Sequence, residues 1–398
     1  MKILHVISQK PSDTGSGVYA INVIRQLENM GHKQALICAI EEEENIEISD
    51  IDVYPVKFSS GNIPFNVVGM SDSMPYKSTK YSELSSQQLK CFKQEFCNVI
   101  EKANREFNPD IIICHHLYLV TALVVSIVKN KKVFGICHST DLRQIMSHGM
   151  EKNFIIDNIK KLHGIFALHN SCKEQIKEIF NISHEKIYVT GIGFDNEMFF
   201  DKKLRKNENI EIVFTGKICY AKGLKSMYNA FNSLVESYPK VRLNIVGMGD
   251  GEEYSDIIKL YGNCKGKVKF WGKLSHEELS NLYSRSHIFI LPSFYEGLPL
   301  VIVEALASGL YVVASDISGV KSWLGNNITS SGKIKFVSLP SMKSIDEPVE
   351  RELPEYESNL CEALKNMIYK IENNNSVNID VSSLSWSGLA NKILEIID

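Results

Sequence analysis

The sequence contains no run of about 18 apolar residues, so no segment of it reads as a membrane span. Its opening, KILHVIS, lacks the apolar region and small-residue cleavage site of a secretion signal. It reads as the first strand of a fold, and a cytoplasmic location is the expectation. None of the nine cysteines stands in C-x-x-C spacing, which removes the usual signatures of a zinc site and of a disulfide framework. Cys38, Cys114 and Cys137 lie inside apolar strand-like runs, where thiols behave as small core residues. A net charge of −3 carries no footprint for nucleic acid or for strong binding to an anionic membrane. A local basic face would still leave peripheral membrane contact open. What is present is ordinary for a globular protein: 44% hydrophobic and 23% charged residues in a chain of 398, long enough for two domains.

Short apolar, β-rich runs alternate with helical patterns from one end to the other, which predicts parallel sheets with helices on both faces. KILHVIS, KQALICAI, DVYPVKF, DIIICHH, KVFGICH, GIFALH and KIYVTG supply one sheet; EIVFTGK, RLNIVG, VKFWG, HIFILP, YVVAS and FVSLP supply a second. The polar run Asp201–Glu211 separates them. The expected α/β architecture is two doubly wound, Rossmann-like domains facing across a cleft, residues 1–200 and 210–380, with 381–398 as a terminal helix. Residues 60–90, rich in Ser, Pro and Met, read as a long loop.

The densest chemistry lies in EGLPLVIVEA, Glu296 to Ala305, which follows an apolar strand and opens an apolar helix. Strand, polar turn and helix aim free backbone N–H groups at an anion. Two acids eight positions apart on one helix would lie about 12 Å apart along its axis, too far for the paired carboxylates of a glycosidase, which need roughly 5 to 9.5 Å. They suit two parts of one long ligand, although a buried crossover helix with two solvated acids has the same spacing. Thr14-Gly15-Ser16-Gly17 is a second strand-to-helix turn where glycine lets backbone approach a ligand. Gly216-Lys217 and Lys222-Gly223 place two cations around a third, where ammonium groups can neutralise a leaving diphosphate or simply be solvated. His138-Ser139-Thr140-Asp141 closes the KVFGICH strand, either as a plain strand end or as a ligand contact. Gly247-Met248-Gly249 resembles a dinucleotide loop but lacks the acidic residue expected downstream, so a structural role is assigned to it. Asp50-Ile51-Asp52 imitates a metal-binding D-x-D by chance, and no residue cluster requires a metal.

The run PSFYEGLPLVIVEALASG resembles the nucleotide-sugar motif of retaining GT-B glycosyltransferases of family 4, and the resemblance extends over nearly the whole chain. It implies a GT-B fold and retaining transfer of a hexosyl unit from a nucleotide sugar, UDP-linked, to an acceptor the sequence does not identify. The donor is a substrate, and no cofactor or metal is implied. Lys217 and Lys222 would stabilise the departing diphosphate, Glu296 would hold a sugar hydroxyl, and Glu304 the ribose. His138 would contact the sugar from the first domain. Gly15, Ser16, Gly17, Gly216, Gly297, Leu298, Leu300 and Val301 would line the donor, and Asp141 and Arg143 the acceptor side. The chain departs from the family pattern at three places. Lys217 stands where arginine is usual, Pro299 where glycine is common, and Gly191 where asparagine is usual. A non-hydrolysing UDP-sugar 2-epimerase, which consumes no acceptor, and a non-catalytic sugar-nucleotide binder are the alternatives.

Overall fold

The computed structural model describes residues 1–11, 14–46, 48, 50–205, 208–262, 264, 266–344, 346–375 and 377–398. Within the polar run, Lys206 and Asn207 lie outside the described residues. The chain forms two compact units, Met1–Gly193 with Trp386–Asp398, and Phe194–Ser385.

The first unit is built on a seven-stranded sheet. In spatial order its strands are Asp52–Phe58, Lys33–Glu41, Lys2–Val6, Ile111–His115, Lys132–Ile136, Gly164–Ala167 and Ile187–Val189, every pairing parallel. These are the seven runs read from the sequence. The central ones are apolar almost throughout because a parallel sheet is covered on both faces, whereas the two edge strands, Asp52–Phe58 and Ile187–Val189, are partly exposed. The helix Gly15–Asn29 and the terminal helix Trp386–Ile397 pack together over one face through Tyr19, Val23, Leu27, Trp386, Leu389 and Ile393.

The second unit repeats the plan with six parallel strands in the order Val268–Gly272, Val241–Val246, Ile210–Thr215, Ile288–Leu291, Tyr311–Ser315 and Ile334–Val337. In both sheets the order runs third, second, first, then fourth onward in chain sequence. The order therefore reverses between the first and fourth strands. Ligands of doubly wound sheets bind outside the carboxyl ends of the strands at that reversal.

Two details differ from expectation. The first unit ends at Gly193, before the polar run, because Phe194 and Phe199 are buried in the second unit's core, Phe199 with its ring 5.9 Å from Tyr283. The 60–90 segment is not a plain loop. Ile63, Val67, Val68, Met70 and Tyr81 are buried, Val68–Gly69 pairs with Thr79–Lys80, and the helix Ser86–Glu106 starts inside the segment. Its apolar residues are spaced irregularly, so periodicity did not reveal them.

Candidate active site

At the reversal in the second sheet, the loop after strand Ile210–Thr215 meets the loop after strand Ile288–Leu291. The two are stitched together. The Phe294 amide donates to the Ala221 carbonyl at 3.0 Å, and Lys222 Nζ donates to the Tyr295 carbonyl at 3.2 Å. Gly223 has a positive φ of 71°, and a Cβ there would lie 2.0 Å from the Pro292 carbonyl oxygen. No other residue permits this approach, so the glycine after Lys222 sets how closely the loops meet.

That closeness produces an ion pair the sequence did not announce. Lys222 Nζ lies 2.8 Å from Glu296 Oε1, with both side chains largely covered. The buried Ser293 hydroxyl donates to the same carboxylate oxygen at 2.8 Å. Lysine and glutamate are 74 positions apart in the chain, whereas Ser293 stands three residues before Glu296, close enough for a sequence to suggest the contact. Lys217 is looser: it reaches Asp250 at 3.4 Å, and both side chains are mostly exposed. Such a pair adds little stability and leaves the ammonium free to turn to an anion.

The helix of the motif runs from Leu300 to Ala307, so Glu296 lies in the turn before it and the spacing argument along one helix does not apply. Pro299 occupies the cap position. The Leu300 amide is taken by the Leu298 carbonyl at 3.0 Å, which removes one of the predicted donors. The amides of Gly297, Leu298 and Val301 have no backbone acceptor among the described residues. Gly297 is unlike Gly223: no described atom lies within 4 Å of where its Cβ would be, so its surroundings are open to a ligand.

Glu304 lies one turn into this helix, mostly buried. Burial first, and then the negative charge of Asp195, push its carboxyl up to about 7. No hydrogen-bond donor or cation reaches it among the described residues. A carboxylate kept in that state is matched by a ligand that brings O–H donors. Asp195 ends the Gly191–Asp195 segment, which resembles the family's N-G-V-D segment, but its place beside Glu304 is seen only in the structure.

The glycines of Gly247-Met248-Gly249 are accounted for by packing. A Cβ on Gly247, at φ 134°, would sit 1.8 Å from the Gly216 carbonyl oxygen, and one on Gly249 would sit 2.4 Å from that of Ile218. They shape the Gly216–Lys217 turn from beneath. A cavity lined by Glu211, Arg242, Asn244, Lys269 and Trp271 is separate, toward the amino ends of the strands.

Two family models match the chain in succession: Glycosyltransferase Family 4 over residues 14–197 and Glycosyl transferases group 1 over residues 195–350. The chain belongs to the group 1 glycosyltransferases. An uncharacterized glycosyltransferase of Methanocaldococcus jannaschii is 27% identical over 236 residues, 53% of this chain and 58% of that protein. The matched segments span about half the length of the curated relatives that head the comparison. Among solved structures, a glycosyltransferase from Rickettsia africae superposes with a TM-score of 0.65 at 17% identity, covering 100% of this chain and 97% of that one. The Anabaena protein HepE, solved in complex with UDP, gives 0.63 at 13% identity, covering 99% of both chains. The fold is GT-B.

The first unit carries the remaining predicted residues at its own strand reversal. Thr14 Oγ1 accepts from the Gly17 amide at 3.1 Å and caps the helix that follows. Gln9 Nε2 donates to Thr14 Oγ1 at 2.7 Å and to Ser16 Oγ at 2.8 Å. Gly17 is required by packing, since a Cβ would lie 2.3 Å from the Pro11 carbonyl oxygen, whereas Gly15 has no described atom within 4 Å.

Asp141 corrects the sequence reading. It is fully buried and accepts from the amides of Leu117 (2.7 Å), Leu142 (3.1 Å) and His138 (3.3 Å). A carboxylate so occupied holds the His138 loop in place and has nothing left to offer an acceptor. Arg143, two residues on, is exposed. His138 packs edge-on against Tyr19 at 5.1 Å, and Tyr19 against Trp386 at 5.5 Å, so the terminal helix buttresses the histidine. Its ring neighbours are His115 and His116, with His5 beyond His115, and burial lowers the pKa of all four, His5 and His116 to about 4. The DIIICHH run displayed two of these histidines, but nothing in it marked them as a cluster.

Proposed function

We propose that this protein transfers a hexosyl unit from a UDP-linked sugar to an acceptor hydroxyl, with retention of anomeric configuration and without a metal ion. The observation that carries the reading is the Lys222–Glu296 pair, set by stitched loops beside three free amides and one helical turn from an unpartnered Glu304. Each part of such a donor has a matching group. The ribose offers two O–H donors to Glu304. The diphosphate suits Lys217, Lys222 and the amides of Gly297, Leu298 and Val301, whose helix N-terminus adds a favourable dipole. Gly216 lets backbone approach it. Glu296 accepts from a hydroxyl of the sugar, and His138 is likewise assigned to the sugar and Gly15, Ser16 and Gly17 to the donor. A UDP complex of the same fold supports the choice of uridine.

In the reaction the bond from the anomeric carbon to the phosphate oxygen breaks and the bond to the acceptor oxygen forms on the same face. The acceptor's proton passes to the leaving phosphate. Negative charge therefore grows on the diphosphate as the sugar acquires oxocarbenium character. Lys222 acts chiefly on that growing charge, because its ammonium is held in place before the reaction begins. No protein nucleophile is assigned.

UDP release measured over a panel of nucleotide sugars and hydroxyl acceptors tests this reading. Release that requires an acceptor supports transfer. Conversion of the UDP-sugar alone into its 2-epimer would support the epimerase instead, and binding without turnover the non-catalytic alternative. Among the described residues no three His, Cys, Asp or Glu side chains are grouped to hold a metal. Transfer is accordingly expected to survive full chelation with EDTA. Loss of activity on chelation, restored by manganese, would contradict that expectation.

A further inference from the structure

Three histidine rings in the first unit form a hydrogen-bonded line. His138 Nε2 lies 3.3 Å from His115 Nδ1, His115 Nε2 lies 3.4 Å from His5 Nδ1, and His5 Nε2 lies 3.0 Å from Gln34 Oε1. Gln34 closes the line, because its Nε2 donates to the His32 carbonyl at 3.0 Å. That last bond fixes which way the amide points. Turning the amide over would set its oxygen against the His32 carbonyl oxygen.

A fixed amide determines every proton in the line. Gln34 presents an acceptor, so His5 must carry its proton on Nε2. A neutral His5 then offers a bare Nδ1, which requires His115 to be protonated on Nε2. The same step passes to His138, which carries its proton on Nε2 and leaves Nδ1 bare. The opposite arrangement would place two acceptors face to face at Gln34 and His5, both buried. A buried acceptor left without a donor is costly. Burial also opposes an additional proton anywhere in the line, since it lowers the pKa of all three rings. Other groups against His138 are the edge of Tyr19 and the ring of His116 at 4.8 Å, neither of which hydrogen-bonds it. Among the described residues nothing bonds His138 Nδ1, and it is not among the sealed, partnerless polar atoms.

We propose that Gln34, acting through His5 and His115, fixes His138 as its Nε2–H tautomer, so that the bare Nδ1 accepts a hydrogen bond from a hydroxyl of the transferred sugar. This rests on the assignment of His138 to the donor sugar given above. Gln34, His5 and His115 are then positioning residues. They touch no substrate, yet they decide whether His138 offers a lone pair or a proton. A site built to accept from a hydroxyl rejects a group that cannot donate there.

The test is a long-range proton–nitrogen correlation spectrum of the full-length protein with ¹⁵N-labelled histidine, His138→Gln serving to assign the His138 signals. Wild type is expected to show His138 protonated on Nε2 with Nδ1 bare. Gln34→Met, which removes the acceptor at similar volume, is expected to mix the tautomers. It should lower kcat about tenfold, the size of one lost hydrogen bond, while UDP affinity stays unchanged. UDP lacks the sugar and is assigned to groups of the second unit, so its affinity should not move. An unchanged thermal unfolding transition checks that the first unit, which holds Gln34, is intact. Protonation of His138 on Nδ1 in wild type would overturn the proposal, as would an unchanged tautomer in Gln34→Met. If the tautomer is as expected but His138→Gln turns over like wild type, the sugar contact is wrong and the line of rings has no bearing on transfer.

Discussion

Replacing Lys222 by alanine is expected to lower kcat by about 10²–10³, the usual cost of removing one preorganised electrostatic group, while weakening donor binding far less. The reason lies in its pairing. Before substrate arrives the ammonium is held by Glu296 at 2.8 Å and by the Tyr295 carbonyl at 3.2 Å. It therefore waits in place at no further ordering cost and meets charge that is greatest in the transition state. Because the two side chains touch, combining Lys222→Ala with Glu296→Gln should cost less than the sum of the single losses. Steady-state kinetics on the three variants check this. Near-wild-type turnover of Lys222→Ala would remove the lysine from the mechanism.

The sheets were legible because parallel strands covered on both faces are continuous apolar runs, and their recurrence with intervening helices leaves little choice of architecture. The motif helix was legible for the same reason, along with the turn that precedes it. What stayed hidden depends on contacts between distant residues. The Lys222–Glu296 pair needs Gly223 beneath the Pro292 carbonyl, and the glycine reads in sequence only as a turn. The state of Glu304 comes from burial and from Asp195, more than a hundred residues earlier. Asp141 was misread as an acceptor contact because a polar residue after a strand looks available until the amides it caps are known. The domain boundary was set too late because polarity marked the linker, whereas Phe194 and Phe199 had already joined the second core.

Glu304 supplies the other large effect. Its carboxyl, ordinarily near 4.5, is raised to about 7 in the folded protein. For an acid whose folded pKa exceeds the unfolded one, stability falls as pH rises from the lower value to the higher, then stays reduced. Glu304→Gln removes that penalty and is expected to raise Tm at about pH 8 while leaving it unchanged near pH 4. Ribose hydroxyls donating to the carboxylate favour its charged form, so binding pulls the pKa down. UDP affinity should accordingly be full above pH 7 and decline below it, and this component should vanish in Glu304→Gln. The variant thus gains stability where it loses function.

The most direct measurement is calorimetric titration of UDP into Glu304→Gln and Glu296→Gln at about pH 8. A charge-assisted hydrogen bond to a hydroxyl contributes roughly 1.5–3 kcal/mol, so Glu304→Gln should weaken UDP about ten- to hundredfold. In Glu296→Gln the amide oxygen still accepts from Ser293 and Lys222, which keeps the lysine in position. UDP affinity should then remain nearly that of wild type while transfer falls. Equal losses of UDP affinity in the two variants would contradict the division of the motif into a ribose-binding and a sugar-binding carboxylate.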